Sequence, residues 1–232
     1  MKTLCYILFL LLSVEPLCSI AYSDTASLDD GRSLFLEGHQ EEAAKIYEKY
    51  ANAGNSEAQE FLGFLYENGY GVNKNHKEAL KWYLKAAEQG DCRAKASLGS
   101  IYYDSDEIIP DYKKARQWLN KAVECGNTLS ITHIGRMYLE GKGVTQDSTE
   151  AIKWFKKAAN QGESSSQIML AVTYFFGKGV PKDVDEAYFW VLLADKSTTT
   201  AGPLKNLISK SLSSEQILNI QNKVAQYLKE NQ

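Results

Sequence analysis

Apolar and small side chains return along this chain at a fixed interval of 36 residues. Leu62-Gly63, Leu98-Gly99, Ile134-Gly135 and Leu170-Ala171 share one position of the period, and Tyr66, Tyr102, Tyr138 and Tyr174 share another. Ala79, Ala115, Ala151 and Ala187 form a third register, and Ala86, Ala122, Ala158 and Ala194 a fourth. The four tryptophans, Trp82, Trp118, Trp154 and Trp190, occupy one position in each period. Within a period, apolar positions 58, 62, 65 and 66 and then 79, 82, 83 and 86 carry helical spacing, which predicts two amphipathic helices per unit. One such hairpin cannot bury its own apolar face. Stacked hairpins share a continuous core, each touching mainly its neighbours, and curve to leave one concave surface.

The link between the two helices is written in glycine. Gly69-x-Gly71-Val72, Gly141-x-Gly143-Val144 and Gly177-x-Gly179-Val180 allow the positive φ that a sharp exit from a helix needs. The second unit departs from this and carries Ser105-Asp106-Glu107-Ile108-Ile109-Pro110 instead. The period predicts units over residues 56–91, 92–127, 128–163 and 164–199. Before them, Gly31, Leu34, Ala43 and Tyr47, with a turn at Gly38, predict a shorter hairpin over residues 24–55. After them, residues 204–230 read as C-terminal capping helices. The last opens at Ser213 with Gln216 in a capping-box position and carries the stripe Ile217, Ile220, Val224, Leu228.

The N-terminus follows a different rule. Lys2 precedes the apolar run Leu4 to Val14, Pro16 breaks it, and Ser19-Ile20-Ala21 offers small residues for cleavage. A membrane-spanning helix needs ~20 apolar residues, and this run is too short. The pattern predicts a signal peptide over residues 1–21, cleaved after Ala21, and a periplasmic or secreted product without a stable membrane span. Cys5 and Cys18 would leave with it, so Cys92 and Cys125 remain. Two cysteines in an exported chain suggest one disulfide. They fall at adjacent ends of the two helices of one unit. The alternative is a pair of small buried hydrophobes.

Charge narrows the function. Lys and Arg number 26 against 29 Asp and Glu, a formal net charge of -3. No basic stripe for nucleic acid follows from that balance. His39, His76 and His133 fall in different units without a recognised ligand spacing, so no metal site is expected. Asp104, Asp106, Glu107 and Asp111 gather in the odd loop, where calcium chemistry competes with a simply solvated acidic loop, the favoured reading. No nucleophile elbow, Ser/His/Asp set or paired-carboxylate pattern stands out. Neither catalytic residues nor a cofactor are therefore expected.

The succession Leu-Gly-x-x-Tyr, Gly-x-Gly-Val and Ala-x-x-Trp-Tyr/Phe-x-x-Ala-Ala-x-x-Gly, over roughly residues 56 to 196, resembles the Sel-one-like repeat (SLR) family of the tetratricopeptide superfamily. The resemblance implies an all-α, right-handed superhelix (α-solenoid) of antiparallel, tetratricopeptide-like helical hairpins with 36-residue repeats. It also implies that first helices line the concave face and hold a partner protein. Aligned on the repeat, the inward positions are Glu60, Phe64 and Glu67; Ser100, Tyr103 and Asp104; Thr132, Arg136, Leu139 and Glu140; and Ile168, Val172, Phe175 and Phe176. These vary between units while the packing registers stay fixed. The apolar group at Phe175 is either an interface or covered by the C-terminal helix. The expected function is an exported interaction scaffold, a periplasmic immunity protein or envelope regulator among its forms. The alternative is a small-molecule or β-lactam-type hydrolytic member. Such cysteine-rich relatives carry cysteines eight residues apart at repeat junctions, where this chain has Ala87 and Lys95, then Val123 and Ile131.

Overall fold

A computed structural model describes residues 26–194 and 201–230 of the chain, and the signal segment expected over residues 1–21 lies outside them. Twelve helices and no strand occur among the described residues. They are α1 (Leu28–Leu36), α2 (Gln40–Asn52), α3 (Ser56–Asn68), α4 (His76–Glu88), α5 (Cys92–Tyr103), α6 (Tyr112–Glu124), α7 (Thr128–Glu140), α8 (Ser148–Ala159), α9 (Ser164–Phe176), α10 (Val184–Ala194), α11 (Ala201–Ser209) and α12 (Ser214–Glu230). They fall into two compact units, one ending at Pro110 and the other starting at Asp111. Within each unit, consecutive helices from α1 to α5 and from α6 to α11 pack in chain order, as an all-α solenoid of helical hairpins requires.

The first unit holds α1 to α5. Its core joins Ala43, Tyr47 and Ala51 of α2 to Ala58, Leu62 and Leu65 of α3 and to Trp82 of α4, with Val72 packed against it from the glycine loop. Gly63 explains the fixed Leu-Gly pair. A Cβ there would stand 2.7 Å from the Tyr83 ring, so glycine lets α3 and α4 close on each other. Gly71 serves a different contact. Its φ of 68° suits glycine, and a Cβ would collide with the Gln40 carbonyl at the start of α2. The loop then returns, and the Asn75 N–H donates to the Tyr66 carbonyl at 2.8 Å.

The second unit repeats these devices. Gly135 faces the Phe155 ring, 2.6 Å from where a Cβ would lie. The Asp147 and Asp183 N–H groups donate to the Tyr138 and Tyr174 carbonyls at 2.9 and 3.0 Å. Buried Gln167 donates its side-chain amide to the Ala159 carbonyl at 3.1 Å, as Gln59 does to Ala51 in the first unit. Each glutamine thereby ties a first helix to the end of the preceding second helix. The capping helices α11 and α12 pack on α10, and their Ile208, Ile220 and Val224 join the core of α9 and α10. The expected capping box is present: Gln216 N–H donates to Ser213 Oγ at 3.2 Å, and Ser213 N–H to Gln216 Oε1 at 3.0 Å.

The tryptophan register is only partly interior. Trp82 and Trp190 are buried, whereas Trp118 and Trp154 are half-buried. Lys85, Lys121 and Lys157, each three residues on, lie over the Trp82, Trp118 and Trp154 rings at 4.1, 4.1 and 5.4 Å. A lysine stem can cover an indole while its ammonium stays in water.

Candidate binding surface

Each first helix presents two accessible registers. Phe64, Ser100, Arg136 and Val172 share one and are all half-buried. Asn68, Asp104, Glu140 and Phe176 share the other and are all exposed. The 36-residue period therefore delivers the same two positions to the surface each time, filled with unlike side chains.

The flanking registers are less open than the sequence suggests. Tyr103 is 1% exposed and Phe175 8% exposed, so these two expected contact residues are core side chains, and Thr132 is buried with its hydroxyl bonded to Glu163. The reason is helical phase. Position 175 points from α9 toward the apolar cluster, with Lys182 Nζ 4.8 Å from the ring centroid, and the next residue, Phe176, turns outward to 57% exposure. Ile168 also packs against this cluster, and Leu139, its neighbour from α7, does likewise. The C-terminal helices pack chiefly on α10 and leave Phe176 in the open.

In the first unit, α3 combines aromatic and acidic groups. Phe64 lies 6.1 Å from Phe35 and 5.6 Å from Tyr70 between ring centroids. Glu67 accepts the Tyr83 hydroxyl at 2.6 Å. Burial and the Glu67 charge push the Tyr83 hydroxyl well above the ordinary tyrosine range. Glu60 is almost wholly buried, and burial pushes its carboxyl up to about 7 although Arg93 opposes the shift. Ser100 and Asp104 end α5, where the Asp104 N–H donates to the Ser100 carbonyl at 2.9 Å.

In the second unit, Glu140 pairs with Arg136 at 3.6 Å and Lys142 at 2.9 Å. Beside them an open cleft of about 900 Å³ is lined by Leu139, Glu140, Ser148, Met169 and Lys178 among others.

The odd loop of the first unit brings together residues that are distant in sequence. Ligand-type atoms of His76, Asp106 and Glu107 lie within 4.8 Å of one another. All three already have partners. Glu107 accepts the His76 N–H at 2.9 Å, Ser105 Oγ meets His76 Nδ1, and Lys74 Nζ bonds Asp106 at 2.8 Å. Glu107 thereby caps the start of α4, where a carboxylate is favoured. Sequence spacing alone hid this cluster, because His76 belongs to one repeat and the loop to the next.

The Sel1 repeat model matches residues 56–91, 93–127, 129–163 and 164–194, more than half of the chain. The chain belongs to the Sel1 repeat family. A search of curated proteins finds no match. Among solved structures, it is 36% identical, with a TM-score of 0.70, to a protective antigen of uropathogenic Escherichia coli strains displaying an SLR fold. That match covers 81% of this chain but only 41% of the antigen. A Sel1 repeat protein from Oxalobacter formigenes is 29% identical over 92% of this chain and 91% of its own, with a TM-score of 0.69. An immunity protein from Pseudomonas aeruginosa shares the fold at 18% identity, covering 82% of this chain and 81% of its own, with a TM-score of 0.51.

Cys92 and Cys125 are disulfide-bonded, the first of the two alternatives that the sequence left open.

Proposed function

We propose that this Sel1 repeat chain is an exported scaffold that binds another protein along its first helices and acts by that binding rather than by catalysis. The observation that carries this reading is the contrast between registers. Leu62, Leu98, Ile134 and Leu170 are buried and alike, whereas Phe64, Ser100, Arg136 and Val172 are accessible and unlike. A core constrains its positions to repeat, while a recognition surface gains specificity by differing. Sel1 repeats mediate protein interactions in general.

Export draws on two supports, the leader-like segment and the disulfide. The apolar segment ahead of Ala21 has the order of a signal peptide. The disulfide suits an oxidising compartment. Among the described residues no helix is long and apolar enough to cross a membrane. The partner is then a protein met in the periplasm or outside the cell, such as a secreted toxin neutralised by an immunity protein or an envelope regulator. The sites expected at Glu60, Phe64, Glu67, Ser100, Asp104, Arg136, Leu139, Glu140, Ile168, Val172 and Phe176 remain the proposed contacts; Tyr103 and Phe175 are removed as buried core rings, whereas Glu60, as deeply buried as Phe175, is kept for its charged group.

The test is affinity capture from an envelope fraction, comparing the wild type with Phe64→Ala, Arg136→Ala and Phe176→Ala combined. A partner recovered by the wild type and lost by the variant is expected. Equal recovery would overturn the first-helix assignment.

A further inference from the structure

The stripe Glu60, Phe64, Glu67 on α3 carries more chemistry than packing requires. Glu60 is 8% exposed, yet its Oε2 accepts no hydrogen bond. The Arg93 guanidinium approaches that oxygen to 3.3 Å without hydrogen-bond geometry, from a side chain that is 65% exposed. With Arg93 as an ion-pair partner but no hydrogen bond, this buried oxygen keeps acceptor capacity unused, and on an accessible helix face that capacity points to a ligand. The positions four and seven residues on share that face. They hold Phe64, with Phe35 and Tyr70 around it, and Glu67, which Tyr83 already engages.

We propose that this face takes an arginine side chain of the partner protein, its guanidinium bonded to the Glu60 carboxylate and its stem laid along Phe64. A carboxylate one helical turn before an aromatic on the same helix face suits a planar guanidinium, which forks onto the oxygens and stacks on a ring. A lysine ammonium lacks both the fork and the plane. Arg93 holds the place of that guanidinium in the unbound chain, and the partner's arginine takes it over. The inference rests on the first-helix reading above and names the chemistry of one contact within it.

Groups facing Glu60 set the pH response. Arg93, Asp91, Glu57, Glu67 and Tyr83 surround it, and burial holds its carboxyl near 7. An arriving guanidinium binds the ionised form and releases a proton. Binding therefore weakens as pH falls below about 7.

The experiment titrates the whole chain with N-acetyl-arginine amide and with its neutral isostere, N-acetyl-citrulline amide, following backbone amide shifts at pH 8 and pH 6. Saturable shifts centred on α3 are expected with the arginine probe and at least tenfold weaker binding with citrulline. Glu60→Gln should weaken the arginine probe at least tenfold, and Arg93→Ala should tighten it severalfold by removing the internal competitor. If Glu60→Gln disturbs the fold, Phe64→Ala at its half-exposed position carries the same expectation. Equal binding of the two probes, or arginine binding unchanged by these variants, overturns the inference. Absence of arginine binding alongside intact partner capture overturns the arginine contact and leaves the first-helix reading standing.

Discussion

At the scale of single residues, small changes on the helix-facing registers separate close packing from mere apolarity. Gly63→Ala and Gly135→Ala each drive a methyl into an aromatic ring of the same hairpin, at 2.7 and 2.6 Å. Overpacking of this kind costs about 1–3 kcal/mol, so both variants should show lower urea midpoints, and Gly202→Ala, which meets nothing within 4 Å, should not. The Leu-Gly register was legible in the sequence, but its reason was not. Gly63 and Tyr83 are 20 positions apart, and only the fold shows that one makes room for the other. Phe175 and Phe176 show the same limit. Hydrophobicity ranks them equally, and about 100° of helical rotation decides which is core. Glu60 gives the residue scale a pH dependence. Its carboxyl is raised from 4.5 to about 7, so the native state favours its protonated form. The resulting stability is fully present below about pH 4.5 and is lost as pH rises through about 7, on the order of 3 kcal/mol. Glu60→Gln should flatten that part of the stability curve measured by denaturant unfolding between pH 5 and 8. An unchanged slope would contradict the buried carboxyl.

At the scale of the element, every repeat starts its helices with an oxygen-bearing side chain. Asn75, Asp111, Asp147 and Asp183 accept the N–H of Glu78, Lys114, Glu150 and Glu186 at 3.2, 3.0, 2.9 and 2.9 Å. Asn55, Asp91, Asn127 and Glu163 do the same for the first helices. Both sets keep the 36-residue spacing, so this signal lay in the sequence and was missed because the identity changes among Asn, Asp and Glu. The repeat with the odd loop preserves its cap, and the backbone N–H of Lys114 holds the Asp111 carboxyl below its usual range. Asp147→Ala should cost about 1 kcal/mol, and Asp147→Asn much less, because either oxygen can accept the Glu150 N–H. Thermal melts of the two variants make the comparison, and equal losses would assign the effect to charge rather than capping.

At the scale of the whole molecule, the 36-residue period made the all-α repeat fold legible, since four registers agree on every helix. The candidate surface was legible in part. The accessible positions follow from periodicity, but burial at Tyr103 and Phe175 depends on side chains supplied by neighbouring helices. The Cys92–Cys125 bond closes a loop of about 33 residues, which the chain-entropy account values at ~3–4 kcal/mol. Reducing agent should lower the melting temperature of the wild type and leave a Cys92→Ser, Cys125→Ser variant unmoved. The central claim is that unlike residues on the first helices select a partner protein. Calorimetric titration of the captured partner into the wild type and into the Phe64→Ala, Arg136→Ala, Phe176→Ala variant tests it most directly, with matched circular-dichroism melts as the fold control. Affinity at least tenfold weaker with an unchanged melt is the predicted result. Unchanged affinity in a folded variant would contradict the account.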